Sequence, residues 1–199
     1  LTRTSRKVID ANGRVADRPV TVFSGGAAAV EKGNHRHFMQ KEIYEQPETT
    51  GRTIARYVDA FEERVQMPDL DGVDLAADSA IVIGCGTAHY AGRVAEYWLE
   101  QISGIAVETD IASEFRYRGA DMPQGGLALF ISQSGETADT LAAMAFARKQ
   151  GQHVLSIVNV QESSMARQAD AVLLTRAGPE IGVASTKAFT TQLTVLACL

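Results

Sequence analysis

Leu127-Ala128-Leu129-Phe130-Ile131-Ser132-Gln133-Ser134-Gly135-Glu136-Thr137 is the stretch on which the reading of this chain turns. An apolar run ends abruptly in a hydroxyl-rich turn, and an Ala-rich helical pattern, Ala138 to Arg148, follows at once. A short apolar run bounded by a glycine turn predicts a buried strand, and the residues after it predict a helix start. Backbone N–H groups are unpaired at a helix start, and the dipole is positive there. Ser132, Ser134 and Thr137 add hydroxyls at the same point, and Gln133 adds an amide. Gly135 lets the chain turn closely beneath a ligand. The set is a candidate cradle for a phosphate ester. The plainer alternative is a helix cap in which Ser and Thr satisfy only backbone. One such residue suffices for a cap, and this turn has three plus a Gln.

The same strand-then-helix rhythm extends in both directions. Upstream, Ala80–Ile83 reads as a strand, and Ala91, Val94, Ala95, Trp98, Leu99 and Ile102 form an apolar helical stripe. Ile105–Thr109 is a strand and Ala112–Arg118 a short helix. Downstream come a strand at Val154–Val158, a short helix at Ser164–Gln168, a strand at Ala171–Leu174 and a helix at Ser185–Leu199. Near-continuous apolar strands imply a sheet covered on both faces. Alternating β and α predicts an α/β fold with a doubly wound parallel sheet. Ligands then bind beyond the carboxyl ends of its strands.

Residues 1–35 differ. Arg6–Ile9 and Val20–Phe23 are strand-like, with a turn signal at Asp10-Ala11-Asn12-Gly13. A two-stranded piece cannot stand alone, so this part reads as the tail of an upstream domain plus a linker. His37–Pro47 is expected to start helical and stop at Pro47. A further helix is expected with Ile54, Tyr57, Val58, Phe61 and Val65 on one face. Pro68–Asp78 reads as an acidic loop.

The 199 residues carry 45% hydrophobic side chains, enough for a sizeable core. A net charge of −5 offers no basic patch for a nucleic-acid backbone. No apolar run approaches a membrane span, and no signal-peptide pattern occurs. Cys85 and Cys198 lie far apart, which suits a reducing, cytoplasmic setting. The chain begins at Leu1 rather than Met and stops inside an apolar helical pattern, so both ends are expected to be cuts through a longer protein.

Two more motifs meet the cradle at the predicted rim. Gly84-Cys85-Gly86-Thr87-Ala88 follows the first strand, but the dinucleotide pattern G-x-G-x-x-G would need Gly where His89 stands. The motif fits better as a short phosphate- or sugar-binding turn, with Thr87 donating near a helix start and Cys85, Gly86 and Ala88 beside it. Cys85 itself reads as a buried structural thiol. The third motif is Ala177 to Lys187, where Gly178 and Pro179 make a loop and Ser185 is expected to cap the next helix. Lys187 falls in the first turn, where the dipole disfavours a cation, so either an acidic partner or ligand meets it or it is solvated. Glu180 is either an orienter of sugar hydroxyls or an exposed loop acid. His35 and His37 have no further ligands at recognisable spacing, so no metal site is expected. Ser113–Arg118 carries two cations read as fold or interface pairs.

In order, His37–Pro47, Gly84–Thr87, Ser113–Tyr117, Ile131–Thr137 and Gly178–Lys187 resemble the glutamine–fructose-6-phosphate aminotransferases (isomerising), the glucosamine-6-phosphate synthases. The match spans nearly all of residues 37–199. The Ser-Gln-Ser-Gly turn alone is similar to the wider sugar-isomerase (SIS) class. The resemblance implies a flavodoxin-like three-layer αβα SIS fold with a short N-terminal β appendage. It divides the chain into the tail of a glutaminase domain with linker (residues 1–35) and the first SIS subdomain (residues 36–199). Such enzymes turn fructose 6-phosphate and glutamine into glucosamine 6-phosphate and glutamate, channelling ammonia between domains. The resemblance implies that Ser132, Gln133, Ser134 and Thr137 bind phosphate, that Thr87 contacts the ligand beside them, and that Val183 and Ser185 face the sugar. It implies no cofactor. Its expected partners are the glutaminase domain, the second SIS subdomain and a second copy in a homodimer.

Two departures follow. The family usually has Ser after Gly-Cys-Gly-Thr, then Tyr-His, whereas this chain has Ala88-His89-Tyr90. A lost hydrogen bond to a charged group is worth about 1.5–3 kcal/mol, so binding is weakened unless His89 compensates. The family's acid/base glutamate and histidine, its imine-forming lysine and its glutaminase cysteine belong to other parts of the polypeptide, so no catalytic residue is expected here. The other functional class to weigh is an SIS module that senses a phosphosugar for a regulator. Residues 1–47 favour the enzyme, because a sensor needs none of them. A nucleotide-binding domain is a third option, disfavoured by the failed glycine fingerprint.

Overall fold

The computed structural model describes residues 2–18, 30–71, 73 and 75–199. Its centre is a five-stranded parallel sheet built from β5 (Ser79–Gly84), β6 (Ala106–Ile111), β7 (Leu127–Ser132), β8 (His153–Val158) and β9 (Ala171–Leu174), in the order β6-β5-β7-β8-β9. Each crossover carries a helix: α3 (Thr87–Ser103), α4 (Ala112–Arg118), α5 (Ala138–Lys149) and α6 (Ser164–Gln168). Strand side chains alternate across the sheet. Val82, Leu129, Ile131, Leu155 and Ile157 pack under α3 and the last helix, α7 (Lys187–Cys198). Ile83, Phe130, Val154 and Val158 pack under α4, α5 and α6. This is the three-layer α/β fold that the strand–helix rhythm predicts. The order reverses between β5 and β7, because the crossover from β5 goes one way and later ones the other. That reversal opens a crevice beyond the strands' carboxyl ends.

The sequence misleads before the sheet begins. Two helices, α1 (Phe38–Tyr44) and α2 (Gln46–Tyr57), meet at Glu45, and Pro47 opens α2 rather than closing α1. Proline's missing N–H costs nothing in a first turn. Helix α2 stops at Tyr57, and β3 (Val58–Asp59) pairs with β4 (Arg64–Val65) in a small hairpin that leaves Phe61 93% exposed. The buried face of α2 is therefore Thr49, Thr53 and Tyr57: of the apolar set expected from spacing Tyr57 is buried, whereas Ile54, Phe61 and Val65 are exposed. Threonine works there because its hydroxyl donates back to its own helix: Thr49 to the Glu45 carbonyl at 3.1 Å, Thr53 to the Thr49 carbonyl at 2.8 Å. In α3, Ile102 of the expected apolar stripe is exposed. Pro68–Leu70 forms a 3-10 turn inside the acidic loop. In the N-terminal appendage β1 (Val8–Ile9) pairs with β2 (Val15–Ala16) around the Asp10–Gly13 turn. The strand expected at Val20–Phe23 lies outside the described residues.

Tyr57 ties α2 to the edge of the sheet. Its hydroxyl donates to the Leu174 carbonyl at 3.0 Å and accepts from the Leu174 N–H at 2.7 Å. Burial pushes its ionisation up, so it stays a neutral two-way partner. Tyr57→Phe strands both backbone groups and is expected to cost about 1–3 kcal/mol in urea unfolding. A loss below about 0.5 kcal/mol would mean that water replaces the hydroxyl.

Candidate functional site

A cavity of about 200 Å³ lies at the β5/β7 crevice. It is lined by Thr87 and Ala88 of α3, by the Ser132–Ser134 turn, by Thr137 and Thr140 at the start of α5, and by Glu180, Gly182, Val183 and Ser185 from the loop before α7. Cys85, Ile131 and Gln192 complete the wall. A second cavity, about 240 Å³, sits at the opposite ends of the strands against Ser79, Ala106 and Leu127. It carries Glu100, Glu108 and Asp121 without converging hydroxyls.

The strand β7 ends in the cradle. Ser132 Oγ accepts the Gly135 N–H at 3.1 Å and lies 3.3 Å from Thr137 Oγ1. Ser134 Oγ accepts the Glu136 N–H at 3.2 Å. These bonds shape the turn itself. Thr137 occupies the cap position of α5 without making a side-chain cap bond, and Gly86 does the same for α3. The hydroxyls therefore do not serve as helix caps, and two helix starts face the cavity with their amides unclaimed by side chains. Among the described residues lining the cavity, Glu180 is the sole carboxyl-bearing side chain, and no Lys, Arg or His is present. Attraction for an anion has to come from amides, hydroxyls and helix dipoles. Gly135 has φ +65°, and a Cβ there would lie 2.5 Å from Ser163 Cβ and overlap Ser163 Oγ. The turn thus packs directly on the start of α6, whose Met165 N–H donates to the Gly135 carbonyl at 3.1 Å.

Three side chains from separate elements fix the loop opposite. Asn159, after β8, donates to the Gly178 carbonyl at 2.7 Å and accepts from the Ala177 N–H at 2.8 Å. Glu42 of α1, only 2% exposed, accepts from the Ile181 N–H at 2.6 Å and the Gly182 N–H at 3.1 Å. A Cβ on Gly182 would collide with that carboxylate. Glu180 accepts from the Thr186 N–H at 2.9 Å and the Ala188 N–H at 3.2 Å. So Glu180, not Ser185, caps α7, and it is not the exposed loop acid of one reading.

Lys187 also finds its explanation here. It is 3% exposed and donates to Glu45 Oε2 at 2.7 Å, so the acid its position called for is Glu45. Burial alone would push the Glu45 carboxyl up, but hydrogen bonding and charge from Lys187, with Lys41 beside it, hold it below the ordinary carboxylate value. Lys187 does not line the cavity, nor does Gly86. Cys85 is half-buried at the cavity wall rather than sealed in the core. Position 88 contributes only a methyl. His89 turns away, with Nδ1 3.2 Å from the Asp110 carbonyl, and does not stand in for the missing hydroxyl. Arg116 pairs with Asp139, and Arg118 with Glu108 and Asp110, as fold contacts. The structure thus brings together Thr87, Ser132, Gln133, Ser134, Thr137, Val183 and Ser185, with Cys85, Ala88 and Glu180 beside them. Thr140, Gly182 and Gln192 also line the cavity and were not anticipated. Thr140 falls one turn after Thr137, a spacing that the helical repeat offers as a signal.

A family profile for the SIS domain matches residues 75–199, from just before β5 to the chain's end. The chain belongs to the SIS domain family. It is 54% identical over 200 residues to the glutamine–fructose-6-phosphate aminotransferase (isomerizing) of Zymomonas mobilis, an alignment covering all of this chain and 33% of that protein. The Bradyrhizobium diazoefficiens enzyme of the same name is 53% identical over the same shares. The chain thus spans about a third of the length of these curated relatives and is homologous to their SIS portion. Among solved structures, the C-terminal domain of glucosamine-fructose-6-phosphate aminotransferase from Francisella tularensis superposes with a TM-score of 0.79 at 41% identity, covering 85% of this SIS chain and 48% of that one. Among the described residues, no helix is long and apolar enough to cross a membrane.

Proposed function

We propose that this chain is the phosphate-gripping part of a glutamine–fructose-6-phosphate aminotransferase, acting in amino-sugar synthesis. The observation that carries the reading is the cavity at the β5/β7 reversal. It gathers Thr87, Ser132, Gln133, Ser134, Thr137 and Ser185 around two helix starts without side-chain caps. Ser185 Oγ is buried there with no hydrogen-bond partner, as a group awaiting a ligand is. The alignment with the aminotransferases also runs through residues 1–35, which a free-standing phosphosugar sensor does not need.

In this reading the cradle holds the phosphate of fructose 6-phosphate, with Thr87 beside it and Val183 and Ser185 against the sugar. Fixing the charged end sets the carbonyl end in place, so remote binding energy positions C1 and C2 for proton transfer. The groups that move protons and form the imine come from elsewhere in the longer polypeptide, as does the glutaminase nucleophile. The setting is cytoplasmic, and the second SIS subdomain, the glutaminase domain and a second copy in a homodimer are the partners.

Calorimetric titration of the 199-residue chain with fructose 6-phosphate, glucose 6-phosphate and NAD tests this. The sugar phosphates are expected to bind and NAD is not. Binding of NAD but neither sugar phosphate would overturn the reading. Turnover of fructose 6-phosphate by this chain alone would overturn its division of labour.

A further inference from the structure

Helix α7 turns a stripe toward the sheet, and one member does not suit that place. Ala188, Val195 and Leu196 are buried and apolar. Thr191 shares the stripe, but its hydroxyl is taken up by its own helix, 2.9 Å from the Lys187 carbonyl and 3.0 Å from that of Ala188. Gln192 is 1% exposed, and its Oε1 has no hydrogen-bond partner. Its side chain lines the cavity together with Ser132, Thr137 and Ser185. A buried amide oxygen without a partner destabilises the fold, whereas Met or Leu would fill the same space without that penalty. A donor supplied by a ligand removes the conflict.

The atom's chemistry limits what that ligand end can be. The orphaned atom is the amide oxygen, which only accepts and so takes an O–H or N–H donor, while the same carboxamide's NH2 donates. The phosphate belongs with the hydroxyls and helix starts of the cradle, which leaves the donor-bearing end of the ligand facing α7. We propose that Gln192 is a ligand-binding residue: it accepts a hydrogen bond from a hydroxyl on the part of a phosphorylated sugar remote from the phosphate. It thereby separates sugar phosphates from bare phosphate. This inference rests on the sugar-phosphate reading above.

Gln192→Met keeps the side-chain volume and removes both polar ends. Fructose 6-phosphate is expected to bind the variant about tenfold more weakly, ~1.4 kcal/mol, while inorganic phosphate binds as it does to the unaltered chain. The melting temperature without ligand is expected to rise by about 2–4 °C, because the unpartnered oxygen is gone. A merely structural glutamine would give a fall instead. Equal weakening for both anions, no weakening, or a fall in melting temperature each overturns the role of Gln192. A crystal of the unaltered chain soaked in fructose 6-phosphate gives a readout that needs no variant. A sugar hydroxyl within about 2.5–3.0 Å of Gln192 Oε1 supports the proposal, and a sugar bound without that contact overturns it. Failure of the unaltered chain to bind fructose 6-phosphate at all removes the sugar reading itself, and this inference with it.

Discussion

Gly135→Ala is expected to abolish sugar-phosphate binding and to destabilise the chain by about 2–6 kcal/mol, the sum of a left-handed backbone penalty and an overpacked contact. The backbone at Gly135 has φ +65°, which an L side chain rarely adopts. The added methyl meets Ser163, and Ser163 has little room to yield. It is buried, its Oγ accepts the Ala166 N–H at 3.3 Å to cap α6, and its neighbour Met165 is bonded to the Gly135 carbonyl. Relief has to come from the turn, which moves Ser132, Ser134 and Thr137 off their places. Thermal unfolding and calorimetry with fructose 6-phosphate separate the two effects. A variant that melts early but binds with unchanged affinity while folded would show that the turn is only structural.

The second large effect is expected at Glu42. Its carboxylate receives the N–H groups of Ile181 and Gly182, and hydrogen bonds to a charged acceptor are each worth about 1.5–3 kcal/mol. Glu42→Ala leaves both amides unpaired and empties a space under the loop that carries Val183 and Ser185. Sugar-phosphate affinity is expected to fall more than about tenfold, with about 3–6 kcal/mol of stability lost. Limited proteolysis should cut first between residues 178 and 186. Unchanged cleavage and unchanged affinity would show that Asn159 and Glu180 suffice to hold the loop.

The sheet and the place of the hydroxyl-rich turn were legible in the sequence because they rest on local signals. Parallel strands covered on both faces read as unbroken apolar runs, and a hydroxyl-rich turn directly after one places those hydroxyls beyond the strand's carboxyl end, where the sheet order reverses. Helix α2 was misread for an equally physical reason. Ile54, Phe61 and Val65 have helical spacing but are exposed, and Tyr57 shares the buried stripe with Thr49 and Thr53, whose hydroxyls donate back to their own helix. Pro47 marks a boundary in the sequence without saying which side of it the helix takes. The partners of the closing loop were hidden because they come from far away: nothing near Glu180 or Gly182 announces Glu42. Lys187 is the exception, since its unfavourable place in a first turn offered an acidic partner as one of two readings, and Glu45 is that partner. In the sequence Gln192 is one polar residue among several on its helix. Only its burial inside an apolar stripe sets it apart.

The tie between α1 and the closing loop also has a kinetic side. Ile181 lies 139 residues after Glu42, and Lys187 lies 142 after Glu45. At a synthesis rate of about 5–20 residues per second, both carboxylates are made roughly 7–30 s before their partners. The central strands can pair meanwhile, since each crossover is short. The mouth of the cavity therefore closes last: until the loop has emerged Glu42 has no loop amides to accept, and Glu45 has Lys41, one helical turn before it, as its cation.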